Sequence, residues 1–406
     1  LKPSKHIVVY TFQSVEDPLI KGLMLQYLLS LVKSTDYSFH LITHEQLEFK
    51  LSSEDLKLRK QELEDNNIFW YPVNYHNGRF LVFKKIYDFV HSAYYCFKIK
   101  RKFKPNIIIG FLPLAAGFSA ILAPILRLKL ITYCFEPHSE YMADFKLWSR
   151  NSLKFALLRK YERTQIEVSK EIIVPTSHTK IFADKINPYS KKHVFPISID
   201  TDKNIFNKEF REGFRKKNSL ENKKVLLYMG KFGGLYYDIP FFIDFLYKFI
   251  SFENYHILII SPDSLEIEKY IGNKKMDQTF FTILSFIPYD LIHNYISVAD
   301  IGIVAVPPLP SQIYRTPVKT GLYLSCGIPY IINRGVAEDD TIASRENVGV
   351  VVNDFTIHDI KELTSKIDNL LTNENLAERC RNTAIKYRSH QKALEVLQQV
   401  LKDNYI

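Results

Sequence analysis

Two lysines set among glycines, Lys231 and Lys319, are the side chains of this 406-residue chain best placed by type and spacing to hold an anion. The run Thr316-Pro317-Val318-Lys319-Thr320-Gly321-Leu322-Tyr323-Leu324-Ser325-Cys326-Gly327-Ile328-Pro329-Tyr330-Ile331-Ile332 reads as a loop, a short helix, a tight turn and a buried strand. An α/β sheet presents backbone N–H groups and a helix N-terminus to a phosphate in this way. Gly230-Lys231-Phe232-Gly233-Gly234-Leu235 follows an apolar run that ends at Met229, and glycines there let backbone approach a phosphate closely. Neither the Walker loop nor Gly-x-Gly-x-x-Gly is present. A third candidate is Glu136-Pro137-His138-Ser139-Glu140, after the apolar run ending at Phe135, where His138 could move a proton near neutral pH and Glu136 is a second titratable group.

These groups need rigid elements behind them. Short apolar or β-branched runs alternate with helical patterns along the whole chain, which implies an α/β protein built from parallel βαβ units. Six strands are expected in each half: 6–10, 39–43, 68–73, 106–111, 129–135 and 171–175, then 224–229, 256–261, 281–286, 301–306, 330–333 and 348–352. Two sheets accommodate them better than one. The length suits two domains, with the break at Phe195-Pro196-Ile197-Ser198-Ile199-Asp200, where proline, turn-forming acids and lost periodicity coincide.

From Lys319 to Pro329 the sequence resembles the donor-binding signature of nucleotide-sugar glycosyltransferases of the GT-B fold, family 4 type, whose pattern runs roughly Pro-x-Lys-x-x-Glu-Tyr-Leu-Ala-Cys-Gly-x-Pro-Val-Ile. The resemblance implies two Rossmann-like domains facing across a cleft. Residues 1–195 would bind the acceptor, 196–390 the nucleotide-sugar donor, and 391–406 would form a helix crossing back to the first domain. It implies transfer of a sugar to a hydroxyl of a glycan or lipid-linked acceptor in cell-surface polysaccharide synthesis, with retained configuration and with neither cofactor nor metal. By the same resemblance Lys231 and Lys319, with Gly230, Gly233, Gly234, Thr316, Thr320, Gly321 and Tyr323, would meet the donor diphosphate. Ile287 would read the base through its main chain, and His138 would lie by the transferred sugar with Glu136 as second choice.

The departures are equally specific. Where the family carries a ribose-binding Glu before the Tyr, this chain has Leu322, and Tyr314 stands at the partner Glu position. Ribose and sugar would then be held by other groups, among them Tyr314, Arg315 or Glu338, or else the donor site has decayed. The competing readings are therefore a non-catalytic scaffold or glycan-binding protein of the same fold, and a nucleotide-sugar 2-epimerase.

The formal charge of +10 attracts anionic partners. Nucleic acid is not expected, because the basic residues do not interleave with a recognition motif. Four cysteines lack metal or redox spacing and suit a reduced cytoplasmic compartment. The uncharged run between Lys104 and Arg127 is broken by Gly110, Pro113, Gly117 and Pro124, and so reads as strand and packed helix, not as a membrane span. In the helical region 84–104, Ile86, Phe89, Val90, Ala93, Cys96 and Phe97 fall on one apolar helical face, and the helix ends in the basic run Lys98-Ile99-Lys100-Arg101-Lys102-Phe103-Lys104. That basic end is a candidate for peripheral contact with an anionic membrane on its cytoplasmic face. Gly22 reads as a helix-packing glycine.

Overall fold

The computed structural model describes residues 5–405, apart from 77, 136, 253, 357 and 358; the side chains of 81 and 82 also lie outside the description. The chain divides into two compact units, Leu1–Phe195 with Gln391–Ile406, and Pro196–His390.

The first unit is built on a seven-stranded sheet ordered β3-β2-β1-β4-β5-β6-β7. Its strands are β1 Lys5–Thr11, β2 Tyr37–Glu45, β3 Ile68–Asn74, β4 Ile107–Phe111, β5 Lys129–Tyr133, β6 Glu171–Val174 and β7 Lys191–Val194. All pairings are parallel, with Val8 opposite His40 on one side and Ile108 on the other. Central strands such as Ile107-Ile108-Ile109 are buried on both faces, which is why they read as unbroken apolar runs rather than alternating ones. The helices Leu81–Phe103, Pro113–Leu126 and Leu153–Val168 pack side by side, on the face that right-handed crossovers toward β7 dictate. The uncharged stretch is thus β4 and one packed helix. No helix among the described residues is long and apolar enough to cross a membrane.

The C-terminal helix His390–Asn404 is tied to this unit by polar contacts. Gln398 Nε2 donates to Ser34 Oγ (2.9 Å), Lys129 Nζ to the Asn404 carbonyl (2.9 Å), and Tyr405 Oη to the His6 carbonyl (3.3 Å).

The second unit carries a six-stranded parallel sheet ordered β10-β9-β8-β11-β12-β13: β8 Lys224–Met229, β9 Tyr255–Ile260, β10 Phe281–Leu284, β11 Ile301–Val304, β12 Tyr330–Asn333 and β13 Gly349–Val352. Its crossovers reverse direction between β8 and β11, so the carboxyl ends of those two strands open the crevice where doubly wound sheets hold ligands. Tyr323, fully buried, lies over β11 because Gly302 has no side chain: a Cβ there would come within 2.4 Å of the ring.

Three expectations are corrected. A strand absent from the sequence reading, β7, edges the first sheet. The apolar face of the helix Leu81–Phe103 does not pack as one: the helix buries Asp88, Ser92, Cys96 and Ile99, while Ile86, Val90 and Phe97 of that face are exposed. A Cβ at Gly22 would meet nothing within 4 Å, so this glycine does not serve packing.

Candidate functional site

The helix Val318–Ser325 starts at the carboxyl edge of the second sheet, and no side chain caps its N-terminus. Its first-turn N–H groups are therefore left to other partners. Lys319 occupies the first turn and turns toward the end of β8. Its ammonium lies against Gly230, where a Cβ would sit 2.5 Å from Nζ. Gly230 has φ +143°, a conformation open to glycine and costly to other residues. Nζ is 4.8 Å from the Tyr228 ring centroid and 6.0 Å from that of Tyr236, whose other neighbour is the Arg315 guanidinium at 5.0 Å. Among the described residues no carboxylate lies within ion-pair distance of Lys319. Burial, and next the positive charge of Arg315, bring its pKa down to about 7. A cation held this way gains from any anion that enters.

The glycine loop is a fixed turn. Phe232 N–H donates to Asp263 Oδ2 (2.8 Å), the Tyr228 hydroxyl to the Lys231 carbonyl (3.0 Å), and Gly233 N–H to the Tyr237 carbonyl (2.9 Å). Gly233 and Gly234 have φ of +69° and +59°, with open space where a Cβ would stand. The Lys231 side chain is exposed at the same strand end. Lys231, Gly230 and Lys319 are thus brought to one corner, with Arg315 joining through Tyr236.

Other expected contacts point inward. The Thr320 hydroxyl donates to the Pro317 carbonyl (2.8 Å) and accepts from Arg388 Nη2 (2.8 Å); the Thr316 hydroxyl accepts from Arg388 Nη1. Arg388 also pairs with Asp339, both buried. Burial raises the Asp339 carboxyl, and Arg388 offsets this. These hydroxyls hold the helix start in place and are not turned outward as donors. Gly321 packs against Arg388 and Ile199, and Tyr323 directs its hydroxyl to the Leu227 and Ile303 carbonyls, 3.4 Å each; both belong to the core. Leu322, at 5% exposure, is core as well. Tyr314 ends the 3-10 turn Pro310–Tyr314, Glu338 starts the helix Asp339–Arg345, and Ile287 packs partly buried beyond β10.

Arg388, Tyr228 and Asp263 were missed in the sequence. No local pattern marks Arg388, whose partners lie 49 and more positions away. Gln312 was missed too: it is 1% exposed, and neither amide atom is hydrogen-bonded among the described residues.

In the first unit His138 opens the short helix His138–Asp144 after β5, partly exposed, its ring 6.2 Å from Tyr141 and 6.4 Å from Trp148. The buried Glu162 fixes this helix start by accepting from Ser139 N–H (2.8 Å) and Oγ (2.5 Å). Glu136 lies outside the described residues.

Residues 311–399 match the family model described as glucosyltransferase 3-like, C-terminal domain, a segment that contains Lys319, Arg315 and Arg388. No curated protein matches the chain by sequence. Among solved structures the chain is similar to sucrose-phosphate synthase from Thermosynechococcus elongatus (12% identity, 98% of each chain covered, TM-score 0.73). It is also similar to Anabaena HepE in complex with UDP and glucose (11%, 98% of this chain and 99% of that one, 0.68), and to a glycosyltransferase from Rickettsia africae (16%, 99% and 98%, 0.68). Two parallel doubly wound sheets in one chain, matching these structures from end to end, are the GT-B fold, and with the matched segment they define a glycosyltransferase. More particularly, its C-terminal segment is glucosyltransferase 3-like.

Proposed function

We propose that the enzyme takes its sugar from a nucleoside diphosphate carrier bound at the β8 corner and passes it to a hydroxyl of a glycan or lipid-linked acceptor in cell-surface polysaccharide synthesis. The observation that carries this reading is the Lys319 ammonium: enclosed by Tyr228 and Tyr236, pressed on Gly230, and with no carboxylate in ion-pair distance among the described residues. A leaving diphosphate gathers negative charge as the glycosidic bond breaks, and a fixed cation with helix N-terminal amides lowers that barrier without reorganising. Lys231 and Arg315 add charge at the rim. That HepE was solved with UDP and glucose agrees with this choice of donor. Retention of configuration and independence of metal belong to the same proposal. In it the departing phosphate oxygen takes the acceptor proton, and His138 stands on the acceptor side.

Calorimetry with UDP and GDP tests the donor site. Wild-type protein should bind at least one, and Lys319→Ala should lose about 2 kcal/mol of that affinity, as for a charge-assisted bond. Equal binding by both proteins would overturn the assignment. The buried Leu322, where the family carries a ribose-binding acid, favours the scaffold reading instead; wild-type protein that binds no nucleoside diphosphate would establish it.

A further inference from the structure

The helix Leu81–Phe103 is apolar on two opposite sides. One side, with Ser92, Cys96 and Ile99, is buried in the first unit. Opposite it, Phe83, Ile86, Tyr87, Val90, Tyr94 and Phe97 are all exposed, from 49% at Phe97 to 73% at Phe83. At 100° per residue these side chains fall within an arc of about 100°, a continuous stripe along the helix. The stripe runs into Lys98, Arg101, Lys102 and Lys104 at the helix C-terminus. The adjacent helix Pro113–Leu126 exposes Ile125 as well.

We infer that this stripe is a docking face for an anionic phospholipid bilayer, on which the helix lies in the interfacial plane. Aromatic and aliphatic side chains enter the headgroup boundary, while the cations at one end meet lipid phosphates. The charge pattern selects this occupant over a second copy of the chain. The one acid between 81 and 104 is Asp88, which is fully buried. Two copies joined through the stripe would find no acid on it to pair their basic ends, on a chain of formal charge +10. The inference is independent of the nucleotide site, which lies in the other unit.

Flotation of the 406-residue chain tests it, using phosphatidylcholine vesicles with and without about one third phosphatidylglycerol. Wild-type protein should float with the anionic vesicles at low salt and lose at least about tenfold in partitioning at high salt or on neutral vesicles. The triple variant Val90→Ser, Tyr94→Ser, Phe97→Ser should lose about tenfold or more on anionic vesicles, as should Lys98→Gln, Arg101→Gln, Lys102→Gln. Unchanged circular dichroism and nucleotide affinity in both variants would show that the fold is kept. Absence of wild-type flotation, or equal flotation of wild type and variants, overturns the inference. So does a wild-type dimer in sedimentation that the apolar triple variant dissolves.

Discussion

Each unit holds a partly buried lysine against aromatic rings at the carboxyl edge of its sheet, and the two differ in what lies beside them. In the first unit Lys85 Nζ lies 3.5 Å from the Tyr75 ring centroid and 3.0 Å from Asp88 Oδ2, while Asp88 Oδ1 takes His76 Nδ1 at 2.5 Å. In the second unit Lys319 has Tyr228 and Tyr236 and, among the described residues, no acid within ion-pair distance. Both ammonium groups are pushed toward neutrality by burial; beside Lys85 the Asp88 carboxylate opposes the shift, whereas beside Lys319 Arg315 adds to it. The same architecture thus ties one lysine to an acid and holds the other with no acid beside it among the described residues, which is the difference the proposed donor site relies on.

The sharpest way to break this contrast is to remove the acid from the first unit. Asp88→Ala leaves Lys85 buried without a counter-charge, and losing one partner of a buried pair costs about 3–5 kcal/mol. Thermal denaturation should show that loss, while nucleotide affinity stays at the wild-type value. A loss below about 1 kcal/mol would mean that Lys85 simply moves to water and that the pair is a surface one. Lys319→Ala should do the reverse. It removes a partly buried ammonium that has no counter-charge among the described residues, so stability holds or rises, and the penalty of about 2 kcal/mol appears in nucleotide binding alone.

The candidate corner of the second unit was more legible in the sequence than the surfaces of the first unit, for physical reasons. Strands buried on both faces carry unbroken apolar runs, so β8 and β12 were read with their observed ends. The edge strand Lys191–Val194 pairs on one side only and reads Lys-Lys-His-Val, which carries no apolar signal. Periodicity detected the helix at 84–104, but a helix apolar on both sides does not say which side is inside. Lys319 was legible because its loop, helix and turn are contiguous. The Arg388–Asp339 pair that anchors this helix start is assembled from distant segments, and tertiary packing alone brings it together. Thr320, Gly321 and Tyr323 were misassigned for a related reason: a motif conserves the residues that shape a helix start alongside those that face a ligand, and spacing does not separate the two.

Titration sharpens the comparison further. With Lys319 at about pKa 7 in the free protein, an anion that binds must pull a proton onto the amine above that pH. Nucleotide affinity should therefore fall as pH rises from 7 to 9, by up to about tenfold per pH unit. The phosphate's own ionisation, near about pH 6, is by then complete. Stability moves oppositely. The unfolded chain, with an ordinary lysine pKa, holds more protons between pH 7 and about 10.4, so this group's contribution to stability rises with pH over that window. Lys319→Ala should flatten both trends. An affinity profile unchanged in the variant would place the coupled proton elsewhere.

The smallest expected effect comes from the residue that lets Lys319 lie where it does. In Gly230→Ala the new Cβ would stand 2.5 Å from Nζ and 3.6 Å from the Tyr228 hydroxyl oxygen. The first contact is with the mobile end of a long side chain, so relief comes from moving the ammonium off the backbone rather than from opening the core. The φ of +143° adds a backbone cost of about 1 kcal/mol. Nucleotide affinity should therefore drop by roughly 1 kcal/mol, about fivefold, with the affinity-versus-pH break moving upward as the displaced amine regains water. The break is the diagnostic part. A change in affinity with the break still at pH 7 would show that the glycine serves the turn alone, and that the ammonium's enclosure arises from Tyr228 and Tyr236.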